Sequence, residues 1–329
     1  MKKIPSKIAI VNTTHIGTML MTMPLVNRVK NHYPDAEITA ILVQRNAVLS
    51  KTLEGMGIKT YVMPNFDGKK KYSYIFSAWK KFWKTFDLCI NGLEPRKIDH
   101  LLMWGIAKET MAYTENNWHG KLITYPVMFN RKSMEQISQA QFISNVFDNK
   151  PLIPEEWPKI NLNDYPISIE AEKVLEQEIP ENRYIFISPS NNRQASTISP
   201  EDYKLILKPL CEKYQFKVII NCLAYDLSLA EEINKLLYPH SKIVLTPDFS
   251  MLLHVMKRCD IFLLGDGGLC HISAALDKPG LILFGQTSAI EWPPLNEKSV
   301  YLRHEKDVKL INKDLISKKL EKLIQGSLS

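Results

Sequence analysis

The sequence predicts an α/β protein built from two Rossmann-like domains, and three observations predict it. Short apolar, β-branched runs alternate with longer segments whose apolar residues recur at helical spacing, which is the pattern of βαβ units and a parallel sheet. The chain has 329 residues, too many for one ordinary core and suited to two. A stretch rich in Pro, Asn and Asp, KPLIPEEWPKINLNDYP at 150–166, reads as a connection between domains rather than a buried element. The expected division is 1–168 and 169–329.

The elements follow in order. In the first half the expected strands are KIAIV (7–11), EITAILV (37–43), KTYVM (59–63), DLCIN (87–91) and ETMAY (109–113). In the second half they are YIFIS (184–188), KVIIN (217–221), KIVLT (242–246), DIFLLG (260–265) and GLILFG (280–285). Segments 201–214 and 250–259 place their apolar residues on one helical face. The last segment, KDLISKKLEKLIQ at 313–325, reads as an amphipathic helix that packs back on the body. Ligands of such folds bind at the carboxyl ends of the strands, here in a cleft between two facing domains.

Composition narrows the class. Hydrophobic residues make up 45% and charged residues 23%, a soluble globular balance. The net charge of +7 fits an acidic partner: phosphate groups, an anionic membrane surface or nucleic acid. Five scattered cysteines with no CxxC pair argue against a disulfide framework or a zinc site. The basic N-terminus leads into an apolar run (8–11) too short for a signal segment, and no run of about 18 apolar residues occurs. The expected location is the cytoplasm.

The most informative stretch is LLGDGGLCHISAAL, 263–276. A strand runs into a glycine turn and then a helix of small residues. Gly267 and Gly268 let backbone N–H groups approach a ligand, and the helix N-terminus favours negative charge. Asp266 can accept from sugar hydroxyls, and His271 can donate to a phosphate.

This stretch resembles the glycosyltransferase family 9 heptosyltransferases, in which a strand runs into Asp-(Thr/Ser)-Gly-x-x-His, then Ala-Ala, then Pro and another strand. Here the pattern stands as Asp266-Gly267-Gly268-Leu269-Cys270-His271, Ala274-Ala275, Pro279 and 281–285. The opening 7–43 is similar to the family's strand, glycine loop and helix, followed by Tyr33-Pro34, Ala36 and Ile38. The resemblance implies a GT-B fold and an inverting transfer of heptose, with no metal and no cofactor. The donor substrate would be ADP-heptose. The acceptor would be a phosphorylated glycolipid, the inner core of lipopolysaccharide, met at the inner face of the inner membrane.

It also implies site residues. Asp266, Gly268 and His271 match the donor-binding pattern, while Gly267 replaces the usual Thr or Ser. The loop 188–203 would hold the donor phosphates through Ser188, Ser190, Asn191, Asn192 and the cation Arg193; the family's Lys-x-Trp-Pro pattern is absent there. Asp226 stands where the family has an acid facing the ribose, and Thr246 and Pro247 stand at the adenine edge. The main departure is Thr18. After Gly17 the family usually has an Asp taken as the base, and a threonine hydroxyl has no useful basicity near neutral pH. Either His15, in the same loop, is the base, or the acceptor differs, or transfer is weak or lost and the chain is a nucleotide-sugar-binding protein.

The segment 69–87, KKKYSYIFSAWKKFWKTFD, is the most basic and aromatic in the chain. Ile75, Trp79, Phe82, Trp83 and Phe86 fall on one expected helical face, with Lys80, Lys81 and Lys84 away from it. With Arg96 and Lys97 these lysines form the expected acceptor or membrane platform. No nucleic-acid module is present. A dinucleotide oxidoreductase is disfavoured, because NTTHIGT after the first strand lacks GxGxxG.

Overall fold

The computed structural model describes residues 4–64, 71–180, 183–189, 191 and 193–328. The chain divides into two compact units, Met1–Pro158 and Lys159–Ser329. The first holds a six-stranded sheet in the order β3-β2-β1-β4-β5-β6. Its strands are β1 Lys7–Val11, β2 Glu37–Val43, β3 Lys59–Met63, β4 Phe86–Asn91, β5 Ala107–Thr114 and β6 Tyr125–Met128. The second holds β7 Tyr184–Ile187, β8 Lys217–Cys222, β9 Ser241–Leu245, β10 Ile261–Gly265, β11 Gly280–Phe284 and β12 Val300–Arg303, in the order β12-β11-β10-β7-β8-β9. Every neighbouring pair is parallel.

The strands form where apolar residues run without a break, because helices cover both faces of a parallel sheet. Ile8, Ala9, Ile10 and Val11 are all buried, as are Leu281, Ile282, Leu283 and Phe284. The ten expected strands are present, shifted by at most two residues at an end. Two more were not expected, β6 and β12. Both lie at a sheet edge and alternate half-buried with exposed residues, so neither carries a continuous apolar run. Pro126 in β6 suits an edge position.

Helix ends follow local chemistry. Ser199 accepts from the Asp202 N–H at 3.1 Å, Pro200 opens helix Pro200–Tyr214, and Gln215 closes it in the left-handed region. Asp248 caps helix Phe249–Arg258 through the Met251 N–H at 2.9 Å. Helix Lys313–Leu328 packs on helix Pro200–Tyr214 in the second unit, burying Ile316, Leu320 and Ile324.

Two expectations are corrected. The stretch 69–87 is not one helix. Helix Lys71–Phe82 ends before a turn at Lys84 (φ 50°), and Phe86 begins β4. Ile75 faces the core, whereas Trp83 is exposed. The division between units falls at 158/159, before the expected 168/169. Residues after Pro158 are held by the second unit: Ile160 N–H donates to Ala275 O at 2.9 Å, and buried Tyr165 meets Phe249 ring to ring at 5.3 Å.

Residues before Pro158 are tied to the first unit by Arg28 on helix Ile16–His32. Its guanidinium is buried. It donates to both Glu156 carboxylate oxygens at 2.8 Å, to Asp148 at 2.7 Å, and to the carbonyls of Lys150 and Pro151. Glu156→Ala leaves Asp148 to pair with the guanidinium, so it is expected to lower stability by about 2 kcal/mol, the loss of charge-assisted hydrogen bonds. Arg28→Met, which strips both Asp148 and Glu156 of their shared cation, is expected to cost more, about 3 kcal/mol or above. Urea unfolding midpoints of the two variants check the order.

Candidate active site at the sheet reversals

In each sheet the strand order runs outward in opposite directions from one neighbouring pair, β1/β4 in the first and β7/β10 in the second. The loops leaving such a pair part to either side and open a crevice at the carboxyl edge. A buried aspartate paired with an arginine stands at each of these two places.

In the second unit, β10 ends at Gly265. Asp266 follows, and Gly267 caps helix Gly268–Ala275. The loop after β7 returns to meet them. Asn191 Nδ2 donates to Asp266 O at 2.7 Å, and Arg193 N–H donates to Asn191 Oδ1 at 2.9 Å. Arg193 Nη1 pairs with the Asp266 carboxylate and donates to Thr287 Oγ1 at 2.9 Å. Asp266 is 2% exposed and the Arg193 side chain 54%, so a buried acid fixes a cation whose outer face stays open. The backbone of the turn Gln194–Ser196 lies against the strand tips. A β-carbon at Gly265 would stand 2.1 Å from Ser196 O, and one at Gly285 2.3 Å from Ala195 O. These positions, rather than Gly267, demand glycine. Gly267 is extended, and its β-carbon would meet just the Asn191 side-chain end at 3.5 Å.

His271 is buried, and its Nδ1 has no hydrogen-bond partner among the described residues. Burial drives its pKa down to about 4, against the opposing pull of Asp266, so the ring is neutral at pH 7 and has one N–H to give. Asp266, Cys270 and His271 bring three ligand-type atoms within 4.8 Å of one another. Two are already engaged. The Asp266 carboxylate holds Arg193, and the Cys270 thiol, pushed up to about 12 by burial, donates to Gly267 O at 3.0 Å.

The other donor-side residues line the same edge. Ser188 is half-buried at the end of β7. Thr246 is buried and donates to Asn221 Oδ1 at 2.7 Å, tying the ends of β9 and β8 together; Pro247 beside it is exposed. Asp226 precedes helix Leu227–Leu237 and buries an Oδ2 with no hydrogen-bond partner among the described residues. Ser190 and Asn192 lie outside the described residues. An open depression of about 780 Å³ is lined by Arg193, Ser196, Gln286, Thr287 and Lys306 among others. Lys306 is a second cation beside Arg193, contributed by the segment after β12, far from the loop where the sequence offers Arg193 alone.

In the first unit the reversal carries a matching pair. Arg96 Nε donates to Asp99 Oδ2 at 2.6 Å, Thr13 Oγ1 donates to Asp99 Oδ1 at 2.7 Å, and Arg96 Nη2 donates to Thr13 Oγ1. Asp99 is 1% exposed and the Arg96 side chain 39%. The loop after β1 is locked by Asn12, which donates to Thr22 Oγ1 at 2.8 Å and accepts from Thr14. His15 is exposed at the amino end of helix Ile16–His32 and makes no side-chain cap bond. Gly17 is buried, and Thr18 is half-buried.

The acceptor-side cations divide into two groups. Arg96 and Lys97 follow the carboxyl end of β4, with Lys97 over the Trp118 ring at 5.2 Å. Lys80, Lys81 and Lys84 lie toward its amino end, about 20 Å away along the strand. Lys80 is exposed, and Lys81 covers the Tyr61 ring at 4.3 Å. Lys84 donates to Ala107 O at 2.9 Å and to Trp104 O, closing the last turn of helix Lys97–Ile106.

The description of glycosyltransferase family 9 (heptosyltransferase) matches residues 140–320, more than half of the chain. The chain belongs to glycosyltransferase family 9. Lipooligosaccharide heptosyltransferase 2 of Haemophilus ducreyi is 23% identical to this transferase, covering 90% of its chain and 88% of the relative. Lipopolysaccharide heptosyltransferase 3 of Escherichia coli is also 23% identical, covering 86% and 84%. Among solved structures, a family 9 glycosyl transferase from Veillonella parvula has a TM-score of 0.81 at 15% identity, covering 98% and 97% of the two chains. The ADP-heptose lipopolysaccharide heptosyltransferase II of E. coli has a TM-score of 0.74 at 18% identity, covering 98% and 100%. The fold is GT-B.

Two outcomes are expected of the transferase. The unfolded chain binds a proton at His271 below about pH 6.5, and the folded chain only below about pH 4. Stability is therefore lost as pH falls through that window, on the order of 3 kcal/mol from this residue. Urea midpoints between pH 7 and 4 should flatten in His271→Gln. Gly285→Ala should destabilise more than Gly267→Ala, since only the former drives a β-carbon into backbone; thermal unfolding compares them.

Proposed function

We propose that this transferase moves heptose from ADP-heptose to the inner core of a lipopolysaccharide or lipooligosaccharide, with inversion and without a metal ion. It works in the cytoplasm at the inner face of the inner membrane. The observation that carries the reading is the Arg193–Asp266 pair at the second reversal, beside His271 and the amino end of helix Gly268–Ala275. The relatives named as heptosyltransferases support the sugar and the acceptor, and one named for ADP-heptose supports the donor.

The chemistry follows from the charges. An acceptor hydroxyl oxygen attacks the anomeric carbon opposite the diphosphate. The anomeric C–O bond breaks, ADP leaves with the electron pair, and the hydroxyl proton passes to a base. Negative charge grows on the leaving diphosphate. Arg193, Lys306 and the helix N–H groups would meet it there, and contacts that strengthen in the transition state raise the rate. No divalent cation is required for that task, and the Asp266 and Cys270 atoms that would ligate one are held by Arg193 and Gly267. Asp266 holds Arg193 toward the phosphates through Oδ2 and takes a sugar hydroxyl at Oδ1. Ser188, Asn191, Asp226, Thr246 and Pro247 border the nucleotide.

On the acceptor side Asp99 holds Arg96 with its open face outward, and Arg96 and Lys97 meet an anionic group of the glycolipid. His15 takes the proton. Asp99 is unsuited to that role, because both its oxygens are occupied by Thr13 and Arg96. Thr18 favours a second reading, a relative with another donor or acceptor or with weak turnover, since it supplies no carboxylate where the family has one.

Mass spectrometry of the protein with ADP-heptose and phosphorylated lipid A–core acceptors tests the proposal. A product heavier by one heptosyl unit supports it. Binding of ADP-heptose without transfer to any acceptor supports the second reading, and absence of both overturns the donor assignment. His15→Ala is expected to lower kcat by roughly 100-fold with donor affinity unchanged. Arg193→Ala is expected to weaken donor binding by roughly 10- to 100-fold, the usual range for a charge-assisted contact. Calorimetry and initial rates separate the two effects.

A further inference from the structure

Helix Lys71–Phe82 has an apolar inner side and an aromatic outer side. The inner side carries Ile75 and Ala78 into the core of the first unit. The outer side carries Tyr72 and Phe76, exposed by 53% and 66%, and Trp83 just beyond the helix is exposed by 55%. These rings belong to a network. Trp79 lies 5.5 Å from Phe76, 5.8 Å from Trp83 and 5.7 Å from Trp104, and Trp83 lies 5.7 Å from Trp104. Trp79 is anchored against Gly105, where a β-carbon would stand 1.9 Å from its ring nitrogen. The exposed rings are therefore braced from below. At the other end of the same two helices, Lys97 sits 6.0 Å from the Tyr72 ring and 5.2 Å from that of exposed Trp118.

Among the described side chains of helix Lys71–Phe82 and the turn after it, Lys80, Lys81 and Lys84 are basic and none is acidic. In helix Lys97–Ile106 the one acid, Asp99, is buried and paired with Arg96. A water-exposed ring cluster of this size is unfavourable unless something covers it. The centre of a protein–protein interface is poor in lysine, whereas here Lys84 lies 4.9 Å from the Trp104 ring and 6.0 Å from that of Trp83. Tryptophan, tyrosine and lysine together suit the boundary between lipid headgroups and acyl chains, where rings enter the apolar layer and ammonium groups reach lipid phosphates.

We propose that this face, centred on Phe76, Trp83 and Trp104, docks on a bilayer containing anionic phospholipid. The Tyr72–Lys97–Trp118 end adjoins Arg96 at the carboxyl edge of the sheet. A bilayer on this face would thus bring a glycolipid headgroup toward the first reversal. That placement rests on the acceptor reading above; the docking itself does not.

The test is sedimentation of the full chain with phosphatidylcholine vesicles, with and without phosphatidylglycerol, at fixed ionic strength. The expected result is binding to the phosphatidylglycerol vesicles, a blue shift of tryptophan emission, and loss of binding as salt rises. Phe76→Ser with Trp83→Ser is expected to weaken binding by at least about tenfold, as loss of two interfacial rings should. Phe76→Ser with Lys80→Glu should do the same without touching the Trp79–Trp104 contact. Circular dichroism and urea midpoints confirm that each variant is folded. The proposal is overturned if the wild-type chain ignores phosphatidylglycerol vesicles, or if both folded variants bind like the wild type. It is also overturned if analytical ultracentrifugation shows a dimer that these substitutions dissolve, which would make the occupant a second copy of the chain. A failed transfer assay would leave this outcome unaffected.

Discussion

Parallel strands cannot be joined by a tight turn, so each must be reached by a crossover, and right-handed crossovers build outward from a starting strand in one direction at a time. When the chain finishes one side and begins the other, the loops from two adjacent strands leave in opposite directions. Both units meet this constraint once, at β1/β4 and β7/β10. Each crevice is filled in the same way, by a buried aspartate that fixes a half-exposed arginine. The carboxylate is the stationary partner and the guanidinium the presented one. A buried acid without the arginine would be a desolvated charge. An arginine without the acid would spread over many rotamers.

The second reversal adds close packing to electrostatics. Ser196 O and Ala195 O sit where side chains at 265 and 285 would be, so the loop bearing Arg193 is seated on two strand tips. His271 stays neutral beside Asp266, because burial outweighs the pull of the acid. The cluster therefore holds one formal cation–anion pair and a polar ring, rather than three competing charges.

Much of the fold was legible because strands covered on both faces are written as unbroken apolar runs. β6 and β12 were not, because an edge strand seen from one side alternates, and four residues are too few to separate from a loop. Asp266 and His271 were legible from strand, turn and helix order. Asp99 was not. An acid three residues after an arginine at a helix start reads as an ordinary surface pair, and its burial depends on Thr13, which lies 86 residues earlier. Lys84 misled in the opposite sense, since a lysine in a basic run looks free, yet it donates to the carbonyls of Trp104 and Ala107. Thr287 and Lys306 belong to irregular segments with no periodicity to place them.

Arg28 has a consequence for how the chain is made. It lies in the first helix, but its carboxylate partners are Asp148 and Glu156, 120 and 128 residues later. During vectorial synthesis the first sheet and its helices leave the ribosome long before those acids do. Until then a guanidinium destined for the interior has nothing to neutralise it, and desolvating it alone is costly. The native pairing of Arg28 therefore cannot form before the strap around Glu156 has been made, just ahead of the second unit. The boundary between the units thus falls where the chain first completes the charges of its opening helix.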